Sequence, residues 1–200
     1  MAADTQKIGL DLSIKSNAVR GMNKTAIIGI TVMNVIITLA YFIEVIKGAR
    51  TLGSYAIVAS LCMVPSIMAI ITYLRKKDSM FVRYIMGVGF ALMYTYVMFT
   101  TTTDLTFCYI IVAIVSLMVY VDIKYLGTLG IYAVLVNIIR TIIRFSQGLL
   151  VGVALTDTEI VLACIILMVI FINLSIRKMD SINQANINRA AEEKEQTELL

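Results

Sequence analysis

The sequence predicts an all-α polytopic membrane protein with six transmembrane helices. Both termini are expected in the cytoplasm, and the last helix is expected to continue into a cytoplasmic, coiled-coil-like tail. Three observations carry this expectation. First, 60% of the 200 residues are hydrophobic and only 15% are charged, where soluble domains hold about 25% charged residues. A soluble fold of this length leaves too much surface in water to hide that much apolar side chain, and the mean hydropathy is +0.89. Second, the apolar residues gather in runs near the roughly 20 residues needed to cross about 30 Å of hydrocarbon. Third, Lys and Arg segregate to alternate connections between those runs.

The runs are Thr25–Ile46, Tyr55–Leu74, Met80–Phe99, Leu105–Val121, Tyr125–Ile143 and Glu159–Ile176. Only helices satisfy their own backbone inside lipid while remaining open-ended, so the bundle is helical. The first run follows a charged, irregular stretch, residues 1–24, and is too long for the core of a cleaved signal peptide. Pro65 falls in mid-span of the second run, where it removes a helix hydrogen bond and favours a kink. Gly87 and Gly89 permit close packing of the third, whose Arg83 must snorkel to the surface. The fourth and fifth runs are joined by a very short turn, Asp122, Ile123 and Lys124. Asn137 and Arg140 interrupt the fifth. Leu149–Leu155, broken by Gly152, is too short to span and reads as an interfacial or re-entrant piece. Asn34, Asn137 and Asn173 are expected to hydrogen-bond between helices.

Orientation follows from the basic residues. With the N-terminus inside, thirteen of the 17 Lys and Arg fall on inner segments, among them Arg75, Lys76, Lys77, Lys124, Arg177 and Lys178. The outer side keeps Lys47, Arg50, Arg140 and Arg144. The expected organisation is therefore an N-terminal cytoplasmic segment (1–24), a six-helix domain (25–176) and a cytoplasmic linker helix (177–200). From Val153 onward the chain has neither Gly nor Pro. One helix from Glu159 to Leu200 would extend about 63 Å. The tail, rich in Ala, Glu and Lys, has two readings: a solvated helix, or a signalling helix that opens a coiled coil and ends in mid-element.

Composition excludes several functions. There is no His and no Trp. Cys62, Cys108 and Cys164 are an odd number, widely spaced in apolar runs, and are expected to be free thiols with no metal site. No nucleophile has a base beside it and no Gly-rich phosphate loop is present, so neither enzymatic activity nor a cofactor is expected. The basic residues are topological and not interleaved with stacking aromatics, so the bilayer, not nucleic acid, is the expected partner.

Ionisable residues within spans are expensive and are functional candidates by default. Glu44 lies near the outer end of the first span, Asp104 opens the fourth and Glu159 opens the sixth. Arg140 and Arg144 are one turn apart on one face of the fifth. Tyr41, Phe107, Tyr94, Phe99, Thr100 and Tyr109 lie nearby in sequence register. Two readings stand. In one, these residues line an outward-facing ligand pocket in which Arg140 or Arg144 meets Glu44, Asp104 or an anionic ligand. In the other, they are interfacial anchors within an aromatic belt.

Several short stretches resemble one family. Tyr41-Phe-Ile-Glu44-Val-Ile-Lys47-Gly48-Ala-Arg50-Thr-Leu-Gly53 is similar to the end of the first span in the six-helix sensor regions of clostridial methyl-accepting chemotaxis proteins. Further matches are Tyr94-Thr-Tyr96-Val-Met-Phe99-Thr100, Leu105-Thr106-Phe107-Cys-Tyr109 and Tyr120-Val-Asp122. Ile182-Asn183 with Glu193-Lys194-Glu195-Gln-Thr197-Glu198-Leu-Leu200 resembles the linker entering the cytoplasmic signalling hairpin. The resemblance implies a transmembrane input module in a bacterial plasma membrane, working as a homodimer. It also implies contact with the chemotaxis kinase and its coupling protein only through a domain beyond Leu200. Residues 190–197 do not fit the methylation pattern of that family. The same sensor region attached to a kinase or cyclase, and a small six-helix transporter or its substrate-binding subunit, are the alternatives.

Overall fold

The computed structural model describes residues 2–101 and 103–198, with side chains described for 15–101, 103, 105–186 and 189. Six α-helices follow one another: α1 (Ala2–Ile46), α2 (Leu52–Arg75), α3 (Phe81–Thr100), α4 (Cys108–Leu117), α5 (Ile123–Ser146) and α6 (Val153–Glu198). Two 3₁₀ turns, Asp104–Phe107 and Met118–Tyr120, flank α4. Among the described residues there is no strand. Five helices are long and apolar enough to cross a membrane, and the chain is accordingly a multi-pass membrane protein.

The fourth element differs from the expected uniform span. Its α-helical part has only 10 residues. The flanking 3₁₀ turns rise ~2.0 Å per residue against ~1.5 Å in an α-helix, which brings the whole segment to about 29 Å. Stretching both ends thus gives a short apolar run the length of a hydrocarbon layer. It ends at Val121, the one described non-glycine residue at positive φ (48°), a conformation that costs a β-branched side chain strain. Asp122 then caps α5 at once, its carboxylate accepting from the Tyr125 amide at 3.0 Å.

Other boundaries also move. The stretch before Thr25 is helical and continuous with the first span, not irregular. Leu149–Leu155 does not form a re-entrant piece, because α6 already begins at Val153, six residues before the apolar run alone indicates. Glycines stop α1 and α5 in the same way. Gly48 (φ 71°) and Gly148 (φ 70°) take the left-handed conformation. The next amides, Ala49 and Leu149, donate back to the carbonyls of Glu44 and Arg144 at 3.0 Å each, as in a Schellman cap.

Hydrogen bonds at the two ends of the bundle tie helix ends and connections together. At one end, Asn23 of α1 is fully buried. Its Nδ2 donates to the carbonyls of Lys77 and Ser79 at 3.0 Å, and its Oδ1 accepts from the Tyr120 hydroxyl at 2.8 Å. One amide therefore ties α1, the α2–α3 connection and the end of the α4 segment. At the opposite end, Arg50 after α1 reaches the carbonyl of Thr100 at the end of α3, and Arg140 of α5 reaches that of Thr103 before α4.

The core runs along α3, half of whose span is buried, against 17% for α6. Val82, Met86, Phe90, Met93, Tyr94 and Val97 face inward. Against them pack α1, α2 and α5, while α6 lies outside, mainly on α5. Outward residues such as Ile36, Val64, Val88, Val115 and Phe171 are exposed apolar side chains, as a lipid-facing surface requires. Close approach of α2 and α3 depends on Gly89, since a Cβ there would drive into the ring of Pro65. Pro65 itself sits within a continuous α2.

Polar residues inside the bundle pair between helices. Asn34 of α1 donates to the Cys62 carbonyl and the Ser66 hydroxyl of α2 at 3.0 and 2.9 Å. Asn137 of α5 donates to the Tyr94 hydroxyl of α3 at 2.8 Å. Asn173 instead donates within α6, to the Val169 carbonyl at 2.7 Å, so it does not supply the expected interhelical bond. All three cysteines are free, Cys62 buried and the other two exposed.

Candidate functional site

Among the described residues singled out at the Glu44 end, Glu44 and Tyr41 meet Arg50, while Arg140 and Arg144 line a cavity of their own. Both groups touch the end of α3, Arg50 at the Thr100 carbonyl and the cavity at Phe99 and Thr101. In the first, the Schellman turn at Gly48 folds the chain back so that Arg50 returns to the last turn of α1. There its guanidinium pairs with the Glu44 carboxylate and lies 4.5 Å from the centre of the Tyr41 ring. Tyr41 is buried, and the cation held over its face is favourable there. The partner of Glu44 is therefore Arg50, six residues away, and not Arg140 or Arg144. A nearby, geometrically constrained cation wins over one carried by another helix.

In the second group, Arg140 is buried, with 7% of its surface exposed. Its Nη2 donates to the Thr103 carbonyl at 3.3 Å. Arg144, one turn on, joins it in the wall of a cavity of about 380 Å³ completed by Phe99, Thr101, Gln147 and Leu149. The adjoining Thr101–Thr106 turn is knitted by hydroxyls: Thr106 donates to Thr101 Oγ1 at 3.2 Å and to the Thr103 carbonyl at 3.3 Å. Two guanidiniums, a hydroxyl and a carboxamide around a small cavity are the donor set for an oxyanion.

Of the remaining candidates, Phe107 is partly buried and packs on the core at the start of α4. Glu159 is exposed on α6 and takes no part in the cavity wall. The Asp104 side chain lies outside the described residues, although its backbone opens the 3₁₀ turn. Tyr94 belongs to the core, stacked on Phe90 with centroids 5.4 Å apart.

The opposite end holds a cluster that the sequence reading passed over by treating Arg83 as a snorkelling residue. Arg83 Nη1 pairs with Asp122 Oδ2 at 2.7 Å, and Nη2 donates to the Tyr84 hydroxyl at 2.7 Å. The guanidinium lies 4.7 Å from the Tyr84 ring centre and 5.7 Å from that of Tyr125. The Tyr125 hydroxyl in turn donates to the Arg83 carbonyl at 2.6 Å. That approach requires Gly87, because a Cβ there would fall 2.6 Å from the Tyr125 oxygen. A charged residue inside a span is the sequence signal for this cluster. Its partner, 39 residues away, is supplied only by the fold. Among the described residues there is no grouping of acids and cysteines able to hold a metal ion.

Compared with protein families, curated proteins and solved structures, the chain matches none.

Proposed function

We propose that this chain is a six-pass sensor module of a bacterial plasma membrane, with both termini cytoplasmic, of the kind that forms the input region of a methyl-accepting chemotaxis receptor. The cavity beside Arg140 and Arg144 is its outward-facing anion site, and α6 is its output. The observation that carries this reading is the continuity of α6, 46 residues from Val153 to Glu198, about 69 Å at helical rise. That is more than twice the thickness of the hydrocarbon layer. A helix of this length couples a membrane-embedded end to a distant one without a hinge.

Three further features support it. The α5–α6 connection contributes Gln147 and Leu149 to the cavity wall. The membrane portion of α6 packs on α5 and on the 3₁₀ turn before α4. A change of packing at the cavity therefore reaches α6 through α5 and the Asp104–Phe107 turn, and a small translation or rotation of it is a known form of transmembrane switching. The excess of Lys and Arg at the Asn23 end and along the α6 extension orients that end toward the cytoplasm. A homodimer acting on the chemotaxis kinase through its coupling protein is the arrangement this reading brings with it.

The test is a hybrid in which residues 1–200 are fused to the cytoplasmic signalling hairpin of a chemotaxis receptor, with kinase activity measured in membranes. The reading expects Arg140→Ala to shift basal kinase output several-fold with the hybrid still inserted. A hybrid whose output ignores both Arg140→Ala and Arg144→Ala would remove the cavity from the mechanism and favour a transporter.

A further inference from the structure

A second cavity, of about 530 Å³, lies between α3 and α5 at the Asn23 end. We propose that it is a binding site for an anionic phospholipid of the adjacent leaflet, with the phosphate at Arg83 and Lys124 and one acyl chain along the seam between the two helices. This inference stands apart from the sensor reading and would hold for any membrane protein with this geometry.

The cavity is amphipathic along its length. Its mouth carries two cations, Arg83 and Lys124, against one carboxylate, Asp122, which leaves a net positive charge where the helices meet the interface. Lys124 is exposed. Arg83 spends Nη1 and Nη2 on Asp122 and Tyr84, but its Nε has no acceptor in the protein, and a buried donor without an acceptor is costly. A phosphate at the mouth is met first by the exposed Lys124, with Arg83 adding its charge. Beyond the mouth the wall becomes apolar: Val88 and Ala91 on one side, Leu129 and the ring of Tyr132 on the other.

The dimensions favour a lipid over a free anion. From Lys124 to Tyr132 the groove follows eight residues of α5, about 12 Å along the axis, and the hydrocarbon of one leaflet is about 15 Å deep. A soluble phosphate would use the mouth and leave the apolar length empty. Two of the α3 positions that line the groove, Gly87 and Ala91, are small, which leaves room between the helices. Basic pockets between helices on the positively flanked side of a membrane protein are the places where anionic headgroups gather.

The experiment is native mass spectrometry of the full chain released from neutral detergent after incubation with equal amounts of phosphatidylglycerol and phosphatidylcholine of identical acyl chains. The expected result is retention of phosphatidylglycerol over phosphatidylcholine by about fivefold per engaged cation. Lys124→Gln, at an exposed position that leaves folding intact, should lower that preference about fivefold. Arg83→Gln combined with Asp122→Asn, which removes both charges together, should lower it about fivefold and leave the share of Lys124. Ala91→Leu, which narrows the groove without touching charge, should reduce retention of both lipids in parallel. An unchanged lipid ratio in Lys124→Gln would overturn the proposal. Displacement of phosphatidylglycerol by excess inorganic phosphate would overturn it too, because the affinity would then lie in the mouth alone.

Discussion

The two ends of the α3–α5 seam carry the same residue type and do different things with it. At the Asn23 end Arg83 is paired with Asp122 and set against Tyr84 and Tyr125, in a long groove whose wall is mostly apolar. At the Glu44 end Arg140 and Arg144 lie one turn apart in a smaller cavity with Thr101 and Gln147 in its wall. A guanidinium paired with a carboxylate among rings and aliphatic carbons makes a structural joint, and its groove is the one proposed above as a lipid site. The cavity with two guanidiniums and short polar groups in its wall is the one proposed above as an anion site. What surrounds an arginine in a membrane bundle, and not its presence, decides its use.

If the Asn23 end is a joint, it should be the easier end to break. Asp122→Ala removes both the partner of Arg83 and the cap of α5. It should cost about 3 kcal/mol in reversible unfolding from detergent; a stability equal to wild type would show that the pair is incidental. Asn23→Ala should follow at about 2 kcal/mol, because it strands the Tyr120 hydroxyl and the carbonyls of Lys77 and Ser79. Proteolysis should then begin in the 76–80 connection, and cleavage elsewhere would contradict the tie.

Finer changes sharpen the contrast. Gly87→Ala should cost about 1 kcal/mol net, its gain in helix propensity offset by displacement of Tyr125. A rise in melting temperature would mean that Tyr125 moves aside freely. At the other end Arg144→Lys should change stability by less than about 1 kcal/mol while altering hybrid kinase output, because an ammonium keeps the charge but not the fork. An output identical to wild type would reduce Arg144 to an interfacial anchor.

Much of the fold is legible in the sequence, and the reason is physical. Hydropathy over 20 residues reports the free energy of a whole span, so five of the apolar runs fall inside long helices, and the limits of α2, α3 and α5 lie within about three residues of those expected. Events at span ends were less legible. The 3₁₀ turns around α4, the early start of α6 and the helical stretch before Thr25 depend on single turns and on packing, not on a summed property. The candidate site was legible as a list and not as an arrangement. Arg140 and Arg144 share a wall because a helix places them one turn apart, which the sequence does reveal. Glu44 chooses Arg50 because Gly48 reverses the chain, and Arg83 finds Asp122 because α3 and α5 run side by side. Neither pairing has a sequence period.

In the proposed mechanism α6 carries a change at the Arg140 cavity out of the membrane as one helix. Ser175 is exposed on α6 where the apolar run gives way to Arg177 and Lys178. Ser175→Pro removes a helix hydrogen bond there at a cost of about 3 kcal/mol to the helix alone. Measured in the hybrid, it should make kinase output indifferent to Arg140→Ala while the melting temperature of the bundle stays near wild type. Kinase output that still follows Arg140→Ala through the proline would contradict transmission along a continuous α6.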